Sequence, residues 1–199
     1  MSDTVIIGVG NEFRGDDGVG RIMHTLGRHG LDEKTLVVFT ADQGLAGGQS
    51  GIWGMGDHTR PLSAFDTTMH VPLILRQPER IPAGARSELL VSNYDFYPTV
   101  LSYLGLKDTI PDHPPCPGRS YAAVLEGEAL SSKWDNAVFY EFEAVRAVRT
   151  DDWKYVERLG GGPTELYDLR NDPGELINLM DQPAVESIRK ELRGRLHRF

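Results

Sequence analysis

The stretch VVFTADQG, residues 37–44, decides how this sequence folds. It ends a run of mostly branched apolar residues, Thr35 to Thr40, and such a short run bounded by turn residues is typical of a buried strand. In open α/β sheets, ligands bind beyond the carboxyl ends of the strands. Asp42 and Gln43 follow this strand, so they are candidate binding residues. The alternative is that Asp42 and Gly44 only form a turn, which such residues often do.

The chemistry of these two residues favours a hard cation. A carboxylate beside an amide carbonyl offers oxygen ligands suited to Ca²⁺, with Mg²⁺ as the second choice, rather than to a soft metal. The loop that follows carries glycines at 47, 48, 51, 54 and 56 and includes His58 and Arg60. A glycine-rich loop after a strand can fold closely over a bound group.

The composition indicates a folded chain and excludes several kinds of partner. The 199 residues are 40% hydrophobic and 25% charged, which suits about one domain. The net charge of −8 gives no support to a nucleic-acid partner or an anionic membrane, since both need clustered basic residues. A single cysteine, Cys116, excludes an internal disulfide and a Cys-rich zinc site. The opening MSDTVIIGVG lacks a secretory pattern, so the chain as written is expected to be cytoplasmic.

The order of the predicted elements indicates an α/β fold with a smaller α+β end. The first part alternates strands and helices, and the second part has the alternating pattern of antiparallel strands followed by an amphipathic helix. The segment 107–120 is rich in proline, and we expect no regular structure there. The predicted elements are strands at 4–9, 35–40, 71–75 and 88–91, helices at 19–26 and 95–104, a strand meander at 137–159, and a closing helix within 183–199.

Five segments in chain order, covering about residues 16–199, resemble the sulfatase family. The first, DDGVGRIMHTLGRHGLDEKTLVVFTADQG, is similar to the family's helix with a D-x-V-G-R-I pattern followed by a strand ending T-S-D-[HN]-G. The others are GIWGMGDHTRPLSAFDTTMHVPLILR, VSNYDFYPTVLSYLGL, PGRSYAAVLEGE, and VRAVRTDDWKYVERL with ELYDLRNDPGELINL. The resemblance implies an alkaline-phosphatase-like fold, here a partial core sheet with a small C-terminal α+β subdomain. It also implies sulfuric ester hydrolysis by a formylglycine nucleophile beside one divalent cation, usually Ca²⁺.

The resemblance also implies site residues. Asp42 falls on a metal-ligand aspartate, and Gln43 falls on the adjacent ligand, where the family usually has Asn or His. Met55 stands where many members have a lysine that pairs with the sulfate, and a thioether cannot supply that charge. His58 and Arg60 are the candidate substrate-binding residues, since arginine matches tetrahedral oxyanions well. The alternative, that His58 and Arg60 only brace the loop, is equally open.

The nucleophile that the family requires has no counterpart in these residues. The family places it in C-x-P-x-R or a serine version, whereas Cys116 lies in CPGRS, with proline and arginine one position too early. Without the nucleophile no residue performs the covalent step, so we assign no catalytic residue and expect this chain to be inactive alone. Two oxygen ligands are also too few for Ca²⁺, which we expect to be weakly bound or absent. A sulfate ester is the expected substrate only where a complete site forms.

The first residues resemble a different family. VIIGVGNEFRGDDGVG is similar to the start of hydrogenase maturation endopeptidases, and Asp17 falls on a metal-binding acid of that family. The rest of that family's site, a further Asp and a His on later strands, has no recognisable counterpart, and the available Asp66 and His70 lie inside the sulfatase-like run. The two resemblances meet at DDGVGR, which suggests a fusion, with predicted segments 1–20, 21–130 and 131–199.

Three functions therefore remain open. They are a sulfatase-lineage chain, a hydrogenase-maturation metallopeptidase, and a non-enzymatic remnant that acts as an interaction module. The sulfatase resemblance argues against the expected cytoplasmic location, because full-length sulfatases are often exported.

Overall fold

The computed structural model describes residues 4–9, 17–130 and 133–199, the side chains of 4–9 and 17 excepted. The chain divides into two compact units. The first unit comprises Met1–Asp42, Val71–Glu88 and Asn93–Trp134, and the second unit comprises Gln43–His70, Leu89–Ser92 and Asp135–Phe199. None of the helices in these described ranges is long and apolar enough to cross a membrane.

The first unit is built on a three-stranded sheet with the strand Thr35–Thr40 in the middle. Strand β1 (Thr4–Val9) runs parallel to β2 (Thr35–Thr40), and helix α1 (Asp17–Arg28) lies between them in the chain. Strand β5 (Leu73–Arg76) pairs with β2 in the antiparallel sense. The predictions of β1, α1 and β2 are confirmed. Strand β5 begins two residues later than the predicted 71–75, because Pro72 has no N–H to donate to a ladder.

One face of this sheet packs on helices α3 (Asn93–Tyr103) and α4 (Ala122–Leu125). Leu36 and Val38, two residues apart on β2, point to this face and are almost fully buried. Helix α3 begins two residues before the predicted 95, so Pro98 lies inside it and not in its first turn. The rest of the core comprises Tyr103 and Ala122, with Leu73, Leu75, Ile81, Phe96, Leu104 and Leu125 partly buried beside them.

Two predictions are wrong: a strand at 88–91, and the absence of any regular structure from 107–120. Residues 88–91 form no strand, and their backbone is fixed instead by a side chain, since Leu90 N–H donates to Asn136 Oδ1 at 2.6 Å. The segment 107–120 does contain one short regular element, a 3-10 turn at Lys107–Thr109. The rest of that segment forms neither helix nor strand, as its prolines predict.

The second unit contains the predicted antiparallel meander. Its strands β6 (Ala137–Phe142), β7 (Val145–Thr150), β8 (Trp153–Arg158) and β9 (Glu165–Asp168) pair in sequence order. Helix α5 (Glu186–Leu196) packs on one face through Leu192 and Leu196, against Val148 and Tyr155 among others. The opposite face, which includes Ala147 and Val156, is covered by Ala64 and Leu62. The meander predicted at 137–159 is therefore confirmed by β6 to β8 and the closing helix by α5, while β9 is a further strand that the sequence analysis did not predict.

The glycine-rich loop of the second unit has more structure than the sequence predicts. Strands β3 (Ala46–Gly47) and β4 (Trp53–Gly54) form a small antiparallel hairpin, followed by a 3-10 turn at Gly56–His58. The short helix α2 (Asp66–Met69) ends the loop. These short elements hold the chain that follows the candidate cation ligands.

Candidate functional site

Asp42 lies where the sequence predicts it, two residues beyond the carboxyl end of β2. Its side chain is exposed, while its backbone is anchored within the first unit. Asn93, the first residue of α3, donates from Nδ2 to the Asp42 carbonyl oxygen at 3.2 Å. The central strand and the start of a helix therefore fix the backbone of this carboxylate.

Gln43 is half-buried, and its amide contacts Met55 within the second unit. The Gln43 Nε2–H₂ group donates to Met55 Sδ. A thioether sulfur is a weak acceptor, yet this contact sets which end of the amide faces the loop. The amide nitrogen contacts the sulfur, and an amide side chain ligates a hard cation only through its oxygen, here Oε1. Met55, at the position where the family resemblance implies a lysine, thus touches the neighbouring candidate ligand.

Gly44 turns the chain immediately after Gln43 because no other residue fits there. Its N–H donates to the Thr68 carbonyl oxygen at 3.1 Å. A Cβ atom at this position would lie 2.6 Å from the Thr67 carbonyl oxygen and 2.9 Å from the Thr68 carbonyl carbon. Both are backbone atoms that cannot swing aside, so the glycine is required by close packing of the loop on α2.

These donors suit a calcium ion in kind but not in number. Asp42 and Gln43 supply two oxygen donors, whereas Ca²⁺ takes six to eight. In the part of the chain that the structure describes, no three His, Cys, Asp or Glu side chains lie close enough to hold a metal. The site is therefore incomplete with these residues, and we assign no reaction step to a metal.

His58 and Arg60 occupy a turn that their own side chains brace. Arg60 Nη1 donates to the carbonyl oxygens of Asp57 at 2.8 Å and Thr59 at 2.7 Å. The exposed His58 ring lies with Nε2 at 3.8 Å from Asp57 Oδ2. Buried Thr59 closes the turn, since its Oγ1 donates to the carbonyl oxygens of Gly56 and Pro61. The bracing interpretation is thus favoured for Arg60 Nη1, while a role in substrate binding stays a prediction.

A buried ionic cluster lies in the second unit, and sequence reasoning did not find it. Lys154 is fully buried on β8, and its Nζ contacts Asp66 Oδ1, Glu175 Oε1 at 2.6 Å and the Ala64 carbonyl oxygen at 3.0 Å. Glu175 Oε2 accepts from the Asp66 N–H at 2.6 Å. Arg149 Nη2 lies 3.3 Å from Asp66 Oδ2. The sequence nevertheless indicates such a cluster. Lys154 lies on the same face of the predicted strand as the apolar Val156, and burying an unpaired lysine there would cost much free energy, so a buried partner is expected.

The two carboxylates of this cluster respond differently to burial. Burial is the largest single influence on Asp66 and disfavours its charge, but Lys154 and Arg149 together outweigh it, so the pKa of Asp66 lies below its usual value. Burial raises the pKa of Glu175, and Lys154 offsets only part of that effect. Asp66 is therefore engaged in ion pairs with Lys154 and Arg149, and the metallopeptidase role considered for it stays a prediction.

Three sequence-predicted residues remain: Cys116 and His70, whose side chains the structure describes, and Asp17, whose side chain it does not. Cys116 lies in the proline-rich loop with Sγ at 3.9 Å from the Gly118 carbonyl oxygen, and its exclusion as a nucleophile stays a prediction from the sequence. His70 is exposed at the end of α2. Asp17 begins α1, but its side chain and the whole of 10–16 lie outside the described residues. The endopeptidase resemblance therefore stays a prediction.

Comparison with known proteins identifies the family. The family model described as N-sulphoglucosamine sulphohydrolase, C-terminal, matches residues 59–199. An N-acetylglucosamine-6-O-sulfatase from Bacteroides thetaiotaomicron is 29% identical, covering 89% of this chain and 32% of its own length. The uncharacterized sulfatase YidJ of Escherichia coli is 30% identical, covering 91% of this chain and 35% of its own length. This chain therefore spans about a third of the length of these relatives.

Solved structures agree with the sequence relatives. The structure of BT4656 in complex with its substrate D-glucosamine-2-N,6-O-disulfate has a TM-score of 0.80 at 29% identity, covering 92% of this chain and 37% of that one. The phosphonate monoester hydrolase of Agrobacterium radiobacter has a TM-score of 0.79 at 30% identity, covering 92% of this chain and 38% of that one. The predicted family and fold class are confirmed. The chain belongs to the sulfatase family, matches the C-terminal region of that family at residues 59–199, and has its alkaline-phosphatase-like fold.

Proposed function

We propose that this chain forms the C-terminal part of a sulfuric ester hydrolase, in which Asp42 and Gln43 are two ligands of a divalent cation, Ca²⁺ or Mg²⁺. The observation that carries the proposal is the place of Asp42, exposed just beyond the carboxyl end of the central strand of an α/β sheet. Ligands of open α/β sheets bind at this edge.

The substrate class that we propose is a sulfated amino sugar. One relative is an N-acetylglucosamine-6-O-sulfatase, and BT4656 is bound to D-glucosamine-2-N,6-O-disulfate. His58 and Arg60 are the proposed contacts to the anionic group. Arg60 suits this role, because a planar guanidinium matches tetrahedral oxyanions, and its hydrogen bonds to described residues of the turn use Nη1.

We further propose that these 199 residues by themselves do not turn over a sulfate ester. The sequence contains neither C-x-P-x-R nor its serine version, so it lacks the group that would form the covalent intermediate. A cation at Asp42 and Gln43 would polarise a sulfate oxygen when bound. Without a nucleophile, polarising the sulfate oxygen does not by itself lead to the covalent intermediate.

The test is an assay of the purified chain with p-nitrophenyl sulfate and with glucosamine 6-sulfate, in Ca²⁺ and in EDTA. We expect no product above the rate of the Asp42→Ala variant for either ester. Asp108→Ala is the matched control, since Asp108 is an exposed aspartate in the first unit. Turnover that requires Ca²⁺ and is lost only in Asp42→Ala would support the cation site and overturn the proposed inactivity. Turnover that survives Asp42→Ala would contradict the role of Asp42.

A further inference from the structure

The segment 63–69 supports two points of the glycine-rich loop in the second unit. The Gly44 N–H donates to the Thr68 carbonyl oxygen at 3.1 Å, and the Ser63 N–H donates to the Gly56 carbonyl oxygen at 3.0 Å. Thr68 is fully buried, and its Oγ1 donates to a carbonyl oxygen of the same segment at 2.9 Å. The segment is thus closely folded, and whatever fixes its position also fixes the loop.

Glu175 binds the backbone of this segment from 109 residues away in the chain. Its Oε2 accepts from the N–H of Asp66, the first residue of helix α2, at 2.6 Å. The first N–H groups of a helix have no partner within the helix, and a carboxylate that accepts from one of them forms a charge-assisted hydrogen bond. Phe65, at the N-cap position of α2, makes no side-chain hydrogen bond to the helix. Glu175 therefore supplies the cap that the local sequence lacks.

The second oxygen of Glu175 joins the segment to the sheet. Oε1 lies 2.6 Å from Nζ of Lys154 on β8. Lys154 in turn contacts Asp66 Oδ1 and, at 3.0 Å, the Ala64 carbonyl oxygen. Arg149 on β7 pairs with Asp66 Oδ2. The two oxygens of Glu175 thus have separate partners, one on the backbone of α2 and one on a buried ammonium group.

The loop 172–177 brings Glu175 inside against its hydrophobic pattern. Glu175 is 4% exposed, whereas the next two residues, Leu176 and Ile177, are 75% and 61% exposed. Apolar side chains are normally buried in preference to carboxylates. The φ of Glu175 is 54°, in the left-handed region that residues other than glycine rarely adopt. Such a conformation persists only where surrounding contacts over-determine it, so the contacts of the inward carboxylate decide the shape of this loop.

We propose that Glu175 is a positioning residue for the candidate ligand Gln43. It caps α2, which fixes the Thr68 carbonyl oxygen and with it the N–H of Gly44, the residue after Gln43. The role of Gln43 as a ligand rests on the proposed function. The support of Gly44 does not, because it requires neither a cation nor turnover. Failure of this inference can therefore be distinguished from failure of the hydrolase function.

The test is hydrogen–deuterium exchange of backbone amides, followed by NMR at neutral pH in EDTA. In the parent chain we expect the amides of Gly44 and Asp66 to be protected. Glu175→Ala should speed their exchange about tenfold or more, because it removes a charge-assisted hydrogen bond. The amides of the central strand β7 report global unfolding, and the increase at Gly44 should exceed theirs. Glu186→Ala is the matched control, an exposed glutamate in the same unit, and should leave exchange at Gly44 as in the parent chain.

A second variant keeps the test informative where Glu175→Ala does not fold. Glu175→Gln keeps an oxygen that can accept from the Asp66 N–H, but a neutral acceptor forms a hydrogen bond about half as strong. It should therefore speed exchange at Gly44 more than at the β7 amides, by less than Glu175→Ala does. Equal increases at Gly44 and at β7 would overturn the proposal, since Glu175 would then only stabilise the unit as a whole. A Gly44 amide that is unprotected in the parent chain, or unchanged in both variants, would overturn it as well.

Discussion

At the scale of single residues, we expect substitution of Lys154 to lower the free energy of unfolding strongly. Its ammonium group is fully buried between Asp66 and Glu175, so Lys154→Met would leave the buried carboxylate of Glu175 without a cation and would leave Asp66, which is 22% exposed, with Arg149 alone. Breaking a buried pair in this way costs about 3–5 kcal/mol. Urea unfolding monitored by circular dichroism measures the loss.

The control for this variant is another lysine pair in the same unit. Lys190 pairs with Glu186 one helical turn away, and both side chains are largely exposed. Lys190→Met should therefore change the free energy of unfolding by less than about 1 kcal/mol. Equal effects of the two substitutions would mean that the buried cluster does not hold the second unit together.

Asp66 gives the same cluster a dependence on pH. Its pKa in the folded chain lies below the ordinary value of 3.8, so the unfolded chain binds more protons between the two values. The stability that Asp66 contributes is thus present above pH 3.8 and is lost as pH falls through its folded pKa. Glu175 acts in the opposite sense, because its raised pKa lets the folded chain bind the extra proton above pH 4.5.

Asp66→Asn tests this dependence. We expect the substitution to flatten the fall of unfolding free energy on the acid side of pH 3.8, measured by urea titrations at several pH values. The neutral side chain also weakens the pair with Lys154, so the slope with pH is the informative quantity and not the stability at one pH. Asp108→Asn is the control, and an acid slope that is the same in both variants would contradict the role given to Asp66.

At the scale of elements, the segment 118–121 is fixed against helix α3. Asp95 is fully buried on that helix and its Oδ1 accepts from the Arg119 N–H at 2.7 Å. A Cβ at Gly118 would lie 1.9 Å from the Tyr94 carbonyl oxygen and 2.6 Å from its carbonyl carbon. Pro98 has no N–H to donate to the Tyr94 carbonyl four residues earlier, and Gly118 lies directly against that carbonyl.

Gly118→Ala should consequently displace the backbone of one of the two segments. We expect a loss of about 1–3 kcal/mol or more, which is typical of overpacking against atoms that cannot turn aside. Gly27→Ala is the control in the same unit, because it lies in α1 with no atom within 4 Å of its added Cβ. The control should be neutral or slightly stabilising, and a similar loss in both variants would contradict the packing argument.

The elements also show where sequence patterns succeed and where they fail. Strands β1 and β2 and the closing helix were predictable, because their apolar spacing alone decides which face is buried. The start of β5 depends on Pro72, and the backbone of 88–91 is held by Asn136, a residue far away in the chain. Lys154 is predicted as a strand residue, but its partners come from elsewhere in the chain, Asp66 from helix α2 and Glu175 from the loop after β9, so only tertiary structure reveals the cluster.

At the scale of the whole molecule, each unit has its own hydrophobic core. The core of the first unit is centred on Leu36 and Val38, and that of the second on Val148, Tyr155 and Leu192. The candidate cation ligands Asp42 and Gln43 follow the end of β2 in the chain. The sequence predicted their position at the end of β2, but Met55 as the partner of Gln43 is evident only in the folded chain.

Calcium binding tests the candidate site in the whole molecule. Complete but weak protein sites bind Ca²⁺ with Kd of about 10⁻⁴–10⁻³ M, so two donors alone should give a Kd of about 1 mM or weaker. At 1 mM Ca²⁺ the gain in stability is then at most about 0.4 kcal/mol, which raises Tm by less than about 2 °C. Differential scanning calorimetry of the parent chain, Asp42→Ala and Asp108→Ala measures this shift. A small rise that disappears only in Asp42→Ala is the expected result, whereas a rise of many degrees would mean that further ligands complete the site.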